Sequence, residues 1–130
     1  MRVSSARTLL LVAVTAMLVA GRPVLHAAEV SFTRDVMPVL SKAGCNLGTC
    51  HGNQFGKGGF KLSLRGENPD ADFVTLTHEQ VGRRVNTVRA ESSLLLLKPT
   101  MSVPHEGGKR FAEDSPEYDL LRRWIARRAA

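Results

Sequence analysis

Cys45, Cys50 and His51 are the residues whose types and spacing can do chemistry together, within the seven-residue stretch Cys45-Asn46-Leu47-Gly48-Thr49-Cys50-His51. Two thiols beside an imidazole admit three uses. A disulfide between Cys45 and Cys50 is sterically possible in an oxidising compartment. It would close only a tiny loop, and a short loop constrains the unfolded chain little, so it is a poor staple for the domain. Zinc is a second use, but a zinc site wants a well-spaced second pair of ligands that is not present. The third use is attachment of haem. Both thiols add across the two vinyl groups, and the histidine after the second cysteine lies beneath the ring as an iron ligand. The usual attachment motif has two residues between the cysteines; here four stand between them, and Gly48 lets the longer link bulge.

If Cys45 and Cys50 hold one haem and His51 is its proximal axial ligand, a distal ligand must come from a loop far along the chain. The run Lys98-Pro99-Thr100-Met101-Ser102-Val103-Pro104-His105-Glu106-Gly107-Gly108 offers two candidates, His105 and Met101. Methionine with histidine would give a higher potential, and two histidines generally a lower one. Each also has a purely structural explanation: core gap-filling for Met101 and a backbone hydrogen bond for His105. His78 stands beside an expected helix end, where a capping role suits it.

Stepping outward, 130 residues make one domain and a leader. Arg2 and Arg7 precede an uncharged run from Thr8 to Ala20, and small residues end at Ala27-Ala28. A basic start, a short apolar run and a small-residue exit describe a secretory signal peptide. The run is shorter than the roughly 20 residues a membrane-spanning helix needs. We therefore expect residues 1–28 to be a signal and residues 29–130 a mature, exported, periplasmic domain. Cleavage near Ala20 or Gly21, and an uncleaved membrane anchor, are the alternatives. His26 leaves with the leader. The mature part carries 15 basic and 12 acidic side chains, a net of +3, and its basic residues are scattered apart from Arg122, Arg123, Arg127 and Arg128. No basic groove interleaved with aromatic residues accompanies them, which argues against nucleic acid as a partner. A domain this small, with seven aromatic residues in the whole chain, gains from a large apolar cofactor.

The elements that must position these residues read as helices. Ser31 to Ala43 is a first helix, with Thr33 as N-cap, Val36, Val39 and Leu40 on one face, and Pro38 as a source of bending. Gly44 ends it, and the cysteine segment follows at once. Five glycines make His51 to Gly66 a loop. Within it Phe60, Leu62 and Leu64 alternate with polar residues, as in a short extended segment or a loop wrapped around the edge of a flat cofactor. A helix is expected over Asp70 to Thr77, with Phe73, Val74 and Leu76 as its apolar residues. Another is expected over Glu91 to Lys98, stopping at Pro99. Ser115-Pro116-Glu117 starts the last helix, with Tyr118, Leu121, Trp124 and Ile125 three and four apart. The first helix (about Thr33 to Lys42) and the last (about Ser115 to Arg128) should pack together. Phe32, Val36, Leu40, Leu94, Leu97, Leu121, Trp124 and Ile125 are the expected core.

Four stretches and one closing pair carry a family resemblance: Phe32 to Leu40, Cys45 to Gly52, Gly56 to Gly66, Pro104-His105-Glu106-Gly107-Gly108, and Trp124-Ile125. Together they resemble the planctomycete-type cytochrome c domain over nearly all of residues 31 to 126. The resemblance implies an all-α, cytochrome c-like domain with glycine-rich loops around one haem c per chain. It also implies the four-residue spacing between the cysteines, and it favours His105 over Met101 as distal ligand through the Pro-His-x-Gly-Gly motif. The role implied is that of an electron carrier, not an enzyme, passing single electrons between redox protein partners that are soluble or membrane-associated. Relatives often continue into a downstream domain, which is expected to be absent from this chain. Two rivals stay open. One is a haem-free exported binding module with a Cys45–Cys50 disulfide; the other is a haem-based sensor whose iron has an open site for a small ligand.

Overall fold

The computed structural model describes residues 29–128 apart from Val81, so the expected signal peptide lies outside the described residues. The fold is all-α: among the described residues there are four α-helices, three shorter helical turns and no strand. None of these helices is long and apolar enough to cross a membrane.

The first helix lies within the expected Ser31 to Ala43 but takes a different form at its start. A π-helical turn, Phe32–Val36, runs directly into α1, Met37–Lys42. Ser31, not Thr33, caps it: Ser31 Oγ accepts from the Arg34 N–H, and the Ser31 N–H donates to Asp35 Oδ2 at 2.7 Å. The reason lies at Pro38, which has no N–H and clashes with the carbonyl four residues back in an ordinary helix. A wider turn before the proline removes the clash, and Pro38 falls in the first turn of α1, where its missing donor costs nothing. Gly44 then ends the helix with φ +77°, in a Schellman arrangement. Its N–H bonds the Ser41 carbonyl and the Cys45 N–H bonds the Leu40 carbonyl.

Helix α2, Pro69–Thr77, is capped by Asn68 Oδ1 on the Ala71 N–H. Leu76 is buried, whereas Val74 is 49% exposed and is not a core residue. Helix α3, Leu94–Thr100, does not stop at Pro99. In a seven-residue helix a proline in the last turn forfeits only one bond, the one to the Leu95 carbonyl, and the Thr100 hydroxyl adds a separate bond to the Leu96 carbonyl at 2.8 Å. The expected core positions on this helix shift accordingly. Leu95 and Leu96 are buried, and Leu94 and Leu97 are only half-buried. Leu64, expected inside, is 43% exposed because a 3₁₀ turn at Leu64–Gly66 ends the alternation after Leu62. Helix α4, Pro116–Arg127, begins as expected, with Ser115 Oγ accepting from the Tyr118 N–H.

The π turn that leads into α1 packs against α4 through an aromatic cluster. The Phe32 ring lies 5.2 Å from Phe73 and 5.3 Å from Trp124, centre to centre. Lys42 and Glu117 add an exposed ion pair at 2.7 Å. The buried core continues through Val36, Leu40, Leu62, Leu76, Leu96, Leu121 and Ile125. One side of that core is thus closed by aromatic rings. The other side, at Leu40, Leu76 and Leu95, is open to a cavity.

Candidate functional site

The cavity has a volume of about 780 Å³, within the usual range for small-molecule and cofactor sites. Its walls include Leu40, Leu76, Leu94, Leu95, Phe60 and Pro99, and into it face Cys45, Cys50, His51, Met101 and His105. All five candidate site residues named from the sequence therefore border one space.

The cysteine segment is folded by its own backbone. After Gly44 the Cys45 carbonyl accepts the His51 N–H at 3.0 Å, and Leu47 accepts from both Cys50 and Gly52. These bonds curl the four intervening residues so that the longer link closes on itself. Gly52 is required here: a Cβ on it would stand 2.1 Å from the Asn46 carbonyl oxygen. Both cysteines are free thiols. Burial pushes the Cys45 thiol up to about 11, an effect opposed by the positive charge of Arg110. The Arg110 guanidinium reaches Cys50 Sγ at 3.8 Å.

The two histidines are oriented in the same way. His51 Nδ1 lies 3.0 Å from the Phe60 carbonyl and His105 Nδ1 lies 2.9 Å from the Gly108 carbonyl. A carbonyl can only accept, so each Nδ1 carries the proton and each Nε2 keeps a free lone pair. A carbonyl fixing the far nitrogen in this way is the usual support for a metal-ligating imidazole. Burial lowers the His51 pKa, against the Phe60 hydrogen bond, and so favours the neutral, ligating form. The two rings are 6.4 Å apart between centres and within 11° of parallel.

Loop geometry supplies both rings. On the His51 side, Lys57 and Phe60 exchange two backbone bonds of 3.0 Å around Gly58 and Gly59, both at positive φ, as in a type I′ hairpin turn. Arg84, buried beneath that turn, donates to the Gly59 carbonyl at 2.6 Å and lies 4.8 Å from the centre of the Phe60 ring. It thereby holds the residue whose carbonyl orients His51. On the His105 side, Lys98 Nζ donates to the Pro104 carbonyl at 2.7 Å. A Cβ on Gly107 would come within 2.8 Å of His105 Cε1, so that glycine leaves the ring its space.

Met101 is the C-cap of α3, in the left-handed region at φ 66° and 46% exposed. It borders the cavity but has no counterpart to the orienting contact of His105. His78 caps the end of α2, its Nδ1 2.8 Å from Thr77 Oγ1. Arg84 and Arg110 had no mark in the sequence beyond their charge. Their contacts in this site are 25 and 60 residues away, beyond any local spacing signal.

Among the described residues, no group of three or more His, Cys, Asp or Glu side chains converges as a metal site. A pair of imidazoles supplies two ligands, so a metal between them has to bring its remaining ligands with it, as iron in a porphyrin does. The donor set, the apolar walls and the paired thiols at one border of the cavity fit that group. Comparisons with protein-family models, curated proteins and solved structures found no match to this chain.

Proposed function

We propose that this chain is an exported, periplasmic c-type cytochrome domain that carries one haem c and passes single electrons between redox protein partners. The reading rests on one observation above the others. His51 and His105, 54 residues apart and in no shared element, border one cavity with ring centres 6.4 Å apart and both Nδ1 atoms tied to carbonyls. Two imidazoles that border one cavity with Nδ1 already occupied each keep an Nε2 able to ligate a metal that would be held there.

Cys45 and Cys50 would hold the macrocycle by thioether bonds, each thiol adding across one vinyl group with no net oxidation. His51 would be the proximal ligand and His105 the distal one. When bound, haem supplies an iron that changes its charge by one electron. The chain's part is to fix both imidazoles and exclude water with Leu40, Leu76 and Leu95. Arg84 and Lys98 hold the two ligand-bearing loops in place.

The test begins with the full chain expressed in a host that matures c-type cytochromes, followed by haem staining of a denaturing gel. Stain should stay with the polypeptide and be lost in Cys45→Ala/Cys50→Ala. Pigment that extracts into acid acetone, or no pigment, would overturn the proposal, and a Cys45–Cys50 bridge in a peptide map would establish the haem-free alternative. His105→Ala should convert a low-spin spectrum to one that responds to carbon monoxide, whereas Met101→Leu should leave it unchanged. A wild-type spectrum that already responds to carbon monoxide would point to the sensor instead.

A further inference from the structure

The cavity has a pronounced charge asymmetry. Lys57, Arg83, Arg84, Lys98 and Arg110 border it, against the single acid Glu106. Three of those cations are already committed. Arg84 is occupied by the Thr75 and Gly59 carbonyls and the Glu79 carboxylate, all within 2.7 Å. Lys98 holds the Pro104 carbonyl, and Arg110 lies at the cysteines.

Arg83 and Lys57 are different. Both are exposed, and among the described residues neither side chain makes a hydrogen bond or an ion pair. Their backbones are nevertheless fixed. Lys57 is paired with Phe60, and Arg83 bonds Gln80 through its N–H and Leu94 through its carbonyl. Two anchored cations with free heads, at the border of an apolar cavity, match an occupant that has an apolar body and two carboxylates. Guanidinium suits a carboxylate through paired, parallel hydrogen bonds, and ammonium serves as a point charge.

We infer that Arg83 and Lys57 form a carboxylate-binding subsite that takes the two propionates of the haem. This inference rests on the haem reading above. It assigns to the two side chains a function that nothing inside the protein gives them: compensating the negative edge of the cofactor. It also divides labour between cations, with Arg110 at the thioether edge and this pair at the carboxylate edge.

Two measurements test it. In the first, the full chain carrying Cys45→Ala/Cys50→Ala, in which attachment is impossible and binding reversible, is titrated with ferric haem and with its dimethyl ester. The free acid should bind roughly tenfold more tightly than the ester, as two largely exposed charge pairs allow. Adding Arg83→Gln/Lys57→Gln should bring the two affinities together. Equal affinities in the parent, or a preference that survives the double substitution, overturn the subsite while leaving haem binding intact. Binding of neither form overturns the haem reading and the subsite with it.

The second measurement uses the covalently loaded chain, and so does not depend on a stable haem-free fold. Arg83→Gln/Lys57→Gln should lower the midpoint potential, because uncompensated carboxylates favour the oxidised, more positive iron. The control, Lys61→Gln/Arg65→Gln, removes two exposed cations that do not border the cavity and should move the potential less. Equal shifts in the two double variants would overturn the assignment.

Discussion

Gly107 shows how a residue with no side chain can decide the chemistry of its neighbour. A Cβ there would meet His105 Cε1 at 2.8 Å, closer than real contacts allow, and Nε2 at a tight 3.1 Å. The imidazole would have to move, and with it the nitrogen proposed to face the iron. Gly107→Ala is therefore expected to leave the haem attached through Cys45 and Cys50 but to displace the distal ligand. The visible spectrum of the stained protein should change from low-spin to high-spin, or to that of a methionine ligand if Met101 takes the position. Gly58→Ala is the useful comparison. Its Cβ would meet nothing within 4 Å, so the cost there is only the left-handed backbone at φ +58°, about 1 kcal/mol. That variant should unfold at slightly lower urea with an unaltered spectrum. If both variants kept the parent spectrum, the crowding of His105 by position 107 would not matter to ligation.

At the scale of elements, the glycine-rich loop depends on α2 for its anchor. Asp72 is fully buried, and its carboxylate accepts the Ser63 N–H and the Ser63 hydroxyl, the latter at 2.7 Å. Asp72→Ala leaves two partly buried donors of Ser63 without this partner, each costing about 1–3 kcal/mol at most. We expect a loss of about 3 kcal/mol by urea unfolding, against less than about 0.5 kcal/mol for Val74→Ala on the exposed face of the same helix. Equal losses would mean that α2 holds the loop by hydrophobic contact alone. How far such elements can be read in advance follows from how local their causes are. The start of α4 was legible because cap, proline and apolar spacing sit within ten residues of one another. The end of α1 at Gly44 and the tight cysteine segment were legible for the same reason. The π turn was not, since a wider turn that accommodates Pro38 leaves no periodic trace. Nor was the passage of α3 through Pro99, which forfeits a single bond in the last turn and leaves no trace in the spacing. The donors and carbonyls that orient His51 and His105 were legible only as sequence motifs, because Arg84, Phe60 and His51 meet through the folded chain.

For the molecule as a whole, the division between a closed side and an open side predicts where order depends on the cofactor. Phe32, Phe73 and Trp124 seal the π turn, α2 and α4 against one another with no part in the cavity. On the other side, the Lys57–Phe60 turn and the segment from Met101 to Gly108 cover a space of about 780 Å³ with few buried apolar contacts of their own. A ligand that binds only the folded form stabilises what it touches, and loops with low local stability gain the most. Amide hydrogen exchange on the loaded chain and on Cys45→Ala/Cys50→Ala should therefore differ unevenly. Haem should raise protection at Lys57, Phe60, Val103 and Gly108, whose amides bond across these loops, by roughly tenfold or more over any gain at Leu121 or Ile125. A uniform gain, with α4 as dependent on haem as the loops are, would show that the aromatic side cannot hold its fold alone. The helices would then be organised around the cofactor rather than prepared to receive it.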